Sequence, residues 1–305
     1  MPDTELFPIA FLSLARSAAG PCRLRLAPTP SGFLHAGNAL NFIFNYLIAR
    51  CQGGRLVLRI DDLDAERKRD IYVQDIFETL DWLGLDYDEG PGLGARSSGG
   101  EHWSVQTVSD FEQNWSQFRR LPLYIKMLND LREKGLLYAC GKSRREISAF
   151  QGVYPIAFRD QGRSLDEPDV NWRIRTPDGF PLPDFVVRRR DGIPSYQIAS
   201  LADDLHFGIT HIIRGADLAP STAAQRFLAQ CLDLKDFAKI QFLHHPLLMD
   251  ETGEKLSKSA GSGSLRAIRD RGGKPQMLFA MAARMLGLPE KGYGNLGDLL
   301  ETVLK

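Results

Sequence analysis

Basic and apolar residues alternate over Arg23–Ala27, and that period of two predicts a short strand. A turn with Pro28, Pro30 and Gly32 follows. Ala39–Ala49 is then strongly apolar over a helical length. Arg55–Ile60 is a second β-rich run, with Gly53-Gly54 before it and acidic residues after it. Ile71–Leu83 carries apolar residues at helical spacing. Strand, turn, helix, strand is a βαβ unit, whose crossover makes the strands parallel. The expected fold is therefore α/β, a doubly wound parallel sheet of the Rossmann type that begins near Cys22.

The pattern breaks at Glu89–Asn114, where Gly90, Gly92, Gly94, Gly99 and Gly100 predict a surface loop. Helical spacing returns over Leu121–Leu137, and Gly141–Arg190 mixes short apolar runs with turns. Sheet character is expected again at Ser195–Leu201 and Ile209–Ile213. Phe242–Met249 runs into a turn at Asp250–Gly253, and Leu265–Lys305 reads as helical. The expected organisation is a first catalytic half over 20–95, an inserted α+β subdomain over 96–190, a second catalytic half over 191–262 and a short helical region over 263–305. No repeat is visible.

Composition narrows the class. Of 305 residues, 43% are hydrophobic and 25% charged, which excludes a disordered chain. No apolar run reaches the ~18 residues of a membrane span, and Asp3 and Glu5 precede the first apolar stretch where a secretory signal wants basic charge. A cytoplasmic protein without membrane contact is expected. Cys22, Cys51, Cys140 and Cys231 are scattered without a CxxC spacing, which argues against a disulfide framework and a four-cysteine zinc site. Lys+Arg and Asp+Glu both number 38, so the charge balance marks no basic nucleic-acid face.

Two stretches carry candidate phosphate chemistry. Arg25-Leu26-Ala27-Pro28-Thr29-Pro30-Ser31-Gly32 leads through Phe33-Leu34 into His35-Ala36-Gly37-Asn38, between the first strand and the first helix. That is the crevice at the carboxyl ends of the strands, and a helix N-terminus there offers unpaired N–H groups to an anion. Gly37 lets a phosphate or a purine approach the backbone, and His35 can donate to a phosphate oxygen. The same residues also fit a tight strand–helix turn with a buried histidine. About 220 residues later, Lys255-Leu256-Ser257-Lys258-Ser259 lies between Gly253 and Gly261. Two lysines there can clamp a triphosphate, or form a solvated turn.

Taken together, six ordered blocks resemble the class I aminoacyl-tRNA synthetases, in the glutamyl branch. They are Arg25–Gly32, His35–Asn38, Leu58-Arg59-Ile60-Asp61-Asp62-Leu63-Asp64, Ser195-Tyr196-Gln197-Ile198-Ala199, Arg214-Gly215-Ala216-Asp217 and Lys255–Ser259. The resemblance implies a HUP-like Rossmann catalytic domain and a ligase that activates glutamate with ATP and Mg²⁺. It implies His35, Gly37, Asn38, Lys255, Ser257 and Lys258 as ATP-binding residues, with His35, Lys255 and Lys258 catalytic. It implies that Arg25 and Arg214 contact the glutamate carboxylates, that Tyr196 lines the pocket, and that Asp61 holds the substrate ammonium. Asp61 stands where the family usually has Glu, and Thr29 where it usually has Ser. Taken singly, Arg25 also fits a surface ion pair, Asp61–Asp64 a helix-start charge cluster and Tyr196 a core residue. Arg188-Arg189-Arg190 reads as a solvated run, with contact to RNA as the alternative.

The short glutamyl-queuosine relatives in this family often bind zinc through Cys-x-Cys with a later Tyr and Cys. Here the stretch reads Tyr138-Ala139-Cys140-Gly141-Lys142, and no cysteine follows until Cys231, so no zinc is expected. Only 46 residues follow Ser259, enough for a few short helices and no anticodon-binding domain. The resemblance therefore implies a monomer that transfers glutamate to the cyclopentene-diol of queuosine in tRNA(Asp). Three alternatives stay open: a truncated glutamyl-tRNA synthetase that charges a tRNA 3′ end, a non-catalytic nucleotide- or tRNA-binding paralogue, and another nucleotidyltransferase of the superfamily.

Overall fold

The computed structural model describes residues 6–17, 20, 22–93, 105–150, 154–159, 161–248 and 263–305. They group into two compact units: Met1–Arg119 with Gly208–Leu218 and Ile240–Lys305, and Arg120–Phe207 with Ala219–Lys239. This grouping sets residues 96–119 with the first unit and 191–207 with the second.

The first unit begins with helix α1 (Leu6–Ala15), which buries Phe7, Phe11 and Ala15. Strand β1 (Arg23–Leu26) pairs in parallel with β2 (Arg55–Leu58), from Arg23↔Arg55 to Leu26↔Leu58. Helix α2 (Ala36–Cys51) makes the crossover between them and buries Ala39, Leu40, Ile43, Phe44, Leu47 and Ile48. This apolar face is what the strongly apolar run Ala39–Ala49 encodes. Strand β6 (His211–Gly215) pairs in parallel with β7 (Gln241–His245). The two pairs meet where Thr210 N–H donates to Arg23 O at 2.9 Å. Helix α3 (Asp70–Leu83), α10 (Leu265–Asp270), α11 (Gln276–Met285) and α12 (Leu296–Leu304) complete the unit. Its core joins Leu24, Leu26, Leu56 and Leu58 to residues of these helices. The parallel α/β expectation is met.

The expected surface loop at Glu89–Asn114 needs correction. Residues 94–104 lie outside the described residues, but Val105–Asp110 is helix α4 and Phe111–Trp115 a π-helical turn. Fully buried Phe111 anchors this turn, with the Lys68 ammonium 5.2 Å from its ring centroid. The glycines that made the stretch read as loop stand before it, not in it.

The second unit holds α5 (Leu121–Glu133), an antiparallel sheet of β3 (Leu137–Cys140), β4 (Asn171–Ile174) and β5 (Phe185–Arg188), the short α6 (Arg144–Ser148), and helices α7 (Tyr196–His206), α8 (Ala219–Cys231) and α9 (Lys235–Ala238). The predicted helix to Leu137 stops earlier because Gly135 takes φ +67°, and β3 starts at Leu137. Ser195–Leu201, expected in a sheet, is instead the first half of α7. Ile198, Ala199, Leu201 and Ala202 are buried at helical intervals, together with Asp203 and Asp204. Asp203 accepts from Arg120 Nε at 2.6 Å, Arg120 Nη2 at 3.0 Å and Tyr124 Oη at 2.7 Å, so the polar positions that disguised the helix are inward-facing. Among the described residues no helix is long and apolar enough to cross a membrane, and the four cysteines are free thiols.

Candidate active site at the strand ends

The chain leaving β1 and the chain leaving β2 stay side by side. Arg59 N–H donates to Leu26 O, and Asp61 N–H to Pro28 O, both at 2.9 Å. This places Asp61 against the backbone that precedes Thr29, which is itself exposed. Arg25, on β1, is 4% exposed.

The Asp61 carboxylate is gripped from within its own loop. Arg59 Nε reaches Oδ1 at 2.7 Å and Nη2 reaches Oδ2 at 3.0 Å, a two-pronged pair with Arg59 2% and Asp61 6% exposed. Arg59 is a residue that sequence reasoning missed; the signal was an arginine inside an apolar strand run. Asp62 is buried too. It accepts from Ser116 Oγ at 2.7 Å, Gln117 N–H at 2.8 Å and Lys68 Nζ at 3.1 Å. Lys68 also pairs with Glu112. Burial opposes its charge, but Glu112 and Asp62 outweigh that and raise the Lys68 pKa. Only Asp64, held by Arg67 at 2.6 Å on an exposed face, behaves as a surface charge.

His35 is the N-cap of α2. Its Nδ1 accepts from Gly37 N–H at 3.1 Å, and its own backbone N–H donates to Asn38 Oδ1 at 3.0 Å, a reciprocal capping box. With Nδ1 accepting, the proton of the neutral ring sits on Nε2, the donor that a phosphate oxygen requires. Gly37 has a structural reason as well: a Cβ there would stand 3.1 Å from His35 Cε1 and 3.2 Å from Nδ1. A side chain at 37 would press the imidazole by a few tenths of an ångström from its place across the first turn. Asn38 is spent on the cap.

Arg214 sits on β6, 2% exposed, with its guanidinium 5.3 Å from the Phe242 ring centroid. Its strand is tied to α2, because Ile213 O accepts from Asn41 Nδ2 at 3.0 Å and Asn45 Nδ2 at 3.1 Å. These two asparagines, four apart in an otherwise apolar helix, are a further signal that sequence reasoning passed over. Gly215 makes room for Asp217, whose Oδ1 would lie 2.6 Å from a Cβ at 215. Behind this strand, His245 accepts at Nε2 from Asn41 at 3.3 Å and donates from Nδ1 to Pro246 O at 2.9 Å. Burial lowers its pKa and keeps it neutral.

Thus Arg25, Thr29, His35, Gly37, Asn38, Asp61 and Arg214 belong to one unit, all in or just beyond strands of its parallel pairs. Tyr196 belongs to the other unit, as the first residue of α7, 40% exposed. Lys255, Ser257 and Lys258 lie outside the described residues. The chain is described again from residue 263, and Leu265 N–H donates to Leu34 O at 2.8 Å, beside His35. Buried guanidiniums suit carboxylate recognition, and a capped helix start at strand ends suits a phosphate. Arg188-Arg189-Arg190, expected as a solvated run, is one in part: the Arg189–Asp191 pair and the Arg190 hydrogen bond to Gly141 O at 2.5 Å are at the exposed surface, while Arg188 stacks 4.8 Å from the Trp172 ring.

The stretch compared with a zinc site has a different donor chemistry. Cys140 Sγ lies 3.2 Å from Tyr154 Oη, which also contacts Phe158 O at 3.0 Å and receives Gln161 Nε2 at 3.2 Å. Arg173 covers the Tyr154 ring at 3.9 Å. Burial pushes the Cys140 thiol pKa up, but hydrogen bonds from Tyr154 and Gln161 and the charge of Arg173 bring it below its ordinary value. Lys142, at the second ligand position, turns to Glu146 at 3.0 Å. One thiol amid phenol, amide and guanidinium does not fit zinc. Among the described residues no group of three or more His, Cys, Asp or Glu is placed to hold a metal.

The profile of tRNA synthetases class I (E and Q), catalytic domain, matches residues 21–154 and 156–297, so the chain belongs to that family. A relative named glutamyl-Q tRNA(Asp) synthetase, from Pseudomonas aeruginosa, is 35% identical over 284 residues, covering 85% of this chain and 88% of that protein. Another of the same name, from Synechococcus sp. (strain CC9605), is 38% identical over 263 residues, covering 85% and 80%. These matches set the chain in the glutamyl-Q tRNA(Asp) synthetase branch. The glutamate–tRNA ligase of Nitrosomonas europaea is 34% identical over 292 residues, covering 86% of this chain and 57% of that protein. A crystal structure of glutamate-tRNA synthetase from Elizabethkingia anophelis shares the fold with a TM-score of 0.69 at 23% identity, over 92% of this chain and 65% of that one.

Proposed function

We propose that this chain activates glutamate with ATP and transfers it to queuosine in tRNA(Asp). The observation that carries the reading is the buried pair Arg25 and Arg214 in the same unit as the capped His35, in a chain whose relatives of that name are covered over 80–88% of their length. A glutamate zwitterion brings two carboxylates. Arg25 and Arg214 supply one cation each, and Thr29 adds a hydroxyl. Asp61 holds the ammonium, its position set by Arg59.

In the first step an oxygen of the glutamate α-carboxylate attacks the α-phosphorus of ATP. The bond to the β-phosphate bridging oxygen breaks, pyrophosphate leaves, and glutamyl-adenylate forms. Such a transfer depends on placement and charge rather than on covalent help. His35 Nε2–H and the positive end of the α2 dipole steady the phosphates, with Asn38 holding the turn. Lys255, Ser257 and Lys258 meet the charge on the departing pyrophosphate. Mg²⁺ enters as part of the MgATP substrate. In the second step a hydroxyl of the queuosine cyclopentene-diol attacks the adenylate carbonyl carbon, AMP leaves, and an ester remains.

The test is incubation of the full chain with ATP, labelled glutamate and tRNA(Asp) that carries either queuosine or guanosine at the wobble position. The reading expects label on the queuosine form only, retained after the 3′-terminal adenosine is removed. Label that disappears with that adenosine would favour charging of the 3′ end. Absence of both labelling and glutamate-dependent ATP–pyrophosphate exchange would favour a binding paralogue.

A further inference from the structure

Leu34, the residue before His35, has both backbone groups committed to distant parts of the chain. Its N–H donates to Asp75 Oδ2 on α3 at 3.2 Å, and its O accepts from Leu265 N–H at the start of α10 at 2.8 Å. Asp75 is fully buried. Its other oxygen, Oδ1, accepts from Arg269 Nη2 on α10 at 2.8 Å. Arg269 also reaches Glu78 Oε2 at 3.0 Å and Thr79 Oγ1 at 2.6 Å. One helical turn away, the Arg266 guanidinium lies 5.1 Å from the Phe33 ring centroid.

One carboxylate therefore fixes two things at once: the turn that delivers His35, and the helix that follows Lys258 by seven residues in the sequence. The geometry is economical in a way that packing alone does not require. A buried apolar contact would hold α10 on α3 without touching Leu34. Asp75 instead uses one oxygen for α10 and the other for the backbone amide adjoining the cap.

We infer that Asp75 and Arg269 are positioning residues of the ATP site, acting through Leu34 on the placement of His35. The inference rests on the ATP-activating reading above. Loss of the Arg269 arm leaves Asp75 free to shift, so the cap moves relative to the nucleotide phosphates. The glutamate residues Arg25, Asp61 and Arg214 are on other elements and are left in place.

The experiment is ATP–pyrophosphate exchange with the full chain, with KM for ATP and for glutamate measured separately and Tm recorded. The variants are Arg269→Met, Arg269→Lys and, as a matched structural control, Leu299→Ala in the core of α12. Arg269→Met is expected to raise the ATP KM at least tenfold with the glutamate KM within twofold of wild type. Arg269→Lys, which keeps the charge, should recover to within about threefold. Leu299→Ala should lower Tm without splitting the two KM values. If Arg269→Met does not fold, Glu78→Gln, which trims one arm of the network, should give a smaller split in the same direction. An unchanged ATP KM, or equal shifts in both constants, overturns the positioning role. An inactive wild-type chain overturns the underlying reading instead.

Discussion

Arg59 is the most informative single residue to remove. Its guanidinium makes two hydrogen bonds to Asp61, and both groups are at most 6% exposed. Replacing Arg59 by Met keeps much of the apolar stem and deletes the charge. Water cannot screen what remains, so the buried Asp61 carboxylate loses its two-pronged guanidinium partner, a loss of about 3–5 kcal/mol. In a unit of about 150–250 residues each kcal/mol moves Tm by about 2–4 °C, so the expected fall is on the order of 6–20 °C. Asp61→Asn in the same background removes the buried charge and should restore about half of that loss or more, which makes the pair non-additive by at least ~1.5 kcal/mol. The assay is thermal unfolding of the four chains of this cycle at neutral pH, with glutamate KM measured where activity survives. A Tm within 2 °C of wild type for Arg59→Met, or strict additivity in the cycle, would refute the claim that Arg59 holds Asp61 in place.

Three further outcomes follow from other sites. His35→Asn keeps an N-cap acceptor but loses the ring donor, so ATP–pyrophosphate exchange should fall by about 10²–10³ with Tm nearly unchanged; a fall in Tm with activity intact would make His35 a structural cap only. Asp184 in the second unit accepts from Arg159, Tyr138 and Thr176. Burial pushes its pKa up, but those donors hold it down at about 2. Its folded pKa is depressed, so its stabilisation is present above the unfolded value of about 3.9, amounts to about 2 kcal/mol, and is lost as pH falls toward 2. Hydrogen exchange in β3–β5 should therefore speed up on acidification, and Asp184→Asn should flatten that dependence. Burial also lowers the pKa values of His211 and His245. Because the unfolded chain binds protons at about pH 6.5 and these folded rings do not, stability should decline as pH drops below that value. His245→Gln should reduce the slope between about pH 5 and 6.5, and an unaltered slope counts against a neutral buried ring.

The parallel core was legible because β1 alternates, α2 and β2 are apolar runs of helical and strand length, and the turn after β1 is built of Pro and Gly. The helix α7 was not, because its buried aspartates, Asp203 and Asp204, break the apolar pattern from the inside. The residues of the proposed site stand in motifs that single them out in the primary structure. Their supports were not: Asn41, Asn45 and Asp75 act through hydrogen bonds to chain far away in the sequence, and Arg59 reaches Asp61 two residues on, a pairing that nothing in its neighbours announces. Asp62 illustrates the same limit. Beside Asp61 and Asp64 it reads as one of three helix-start charges, yet it is buried and receives Ser116, Gln117 and Lys68.

The most direct test of the account is a crystal structure of the full chain soaked with glutamate and a non-hydrolysable ATP analogue. The account predicts the phosphate chain between His35 Nε2 and the ammonium groups of Lys255 and Lys258, with the glutamate carboxylates on Arg25 and Arg214. A nucleotide bound away from the His35 turn, or lysines turned to a different cavity, would contradict it.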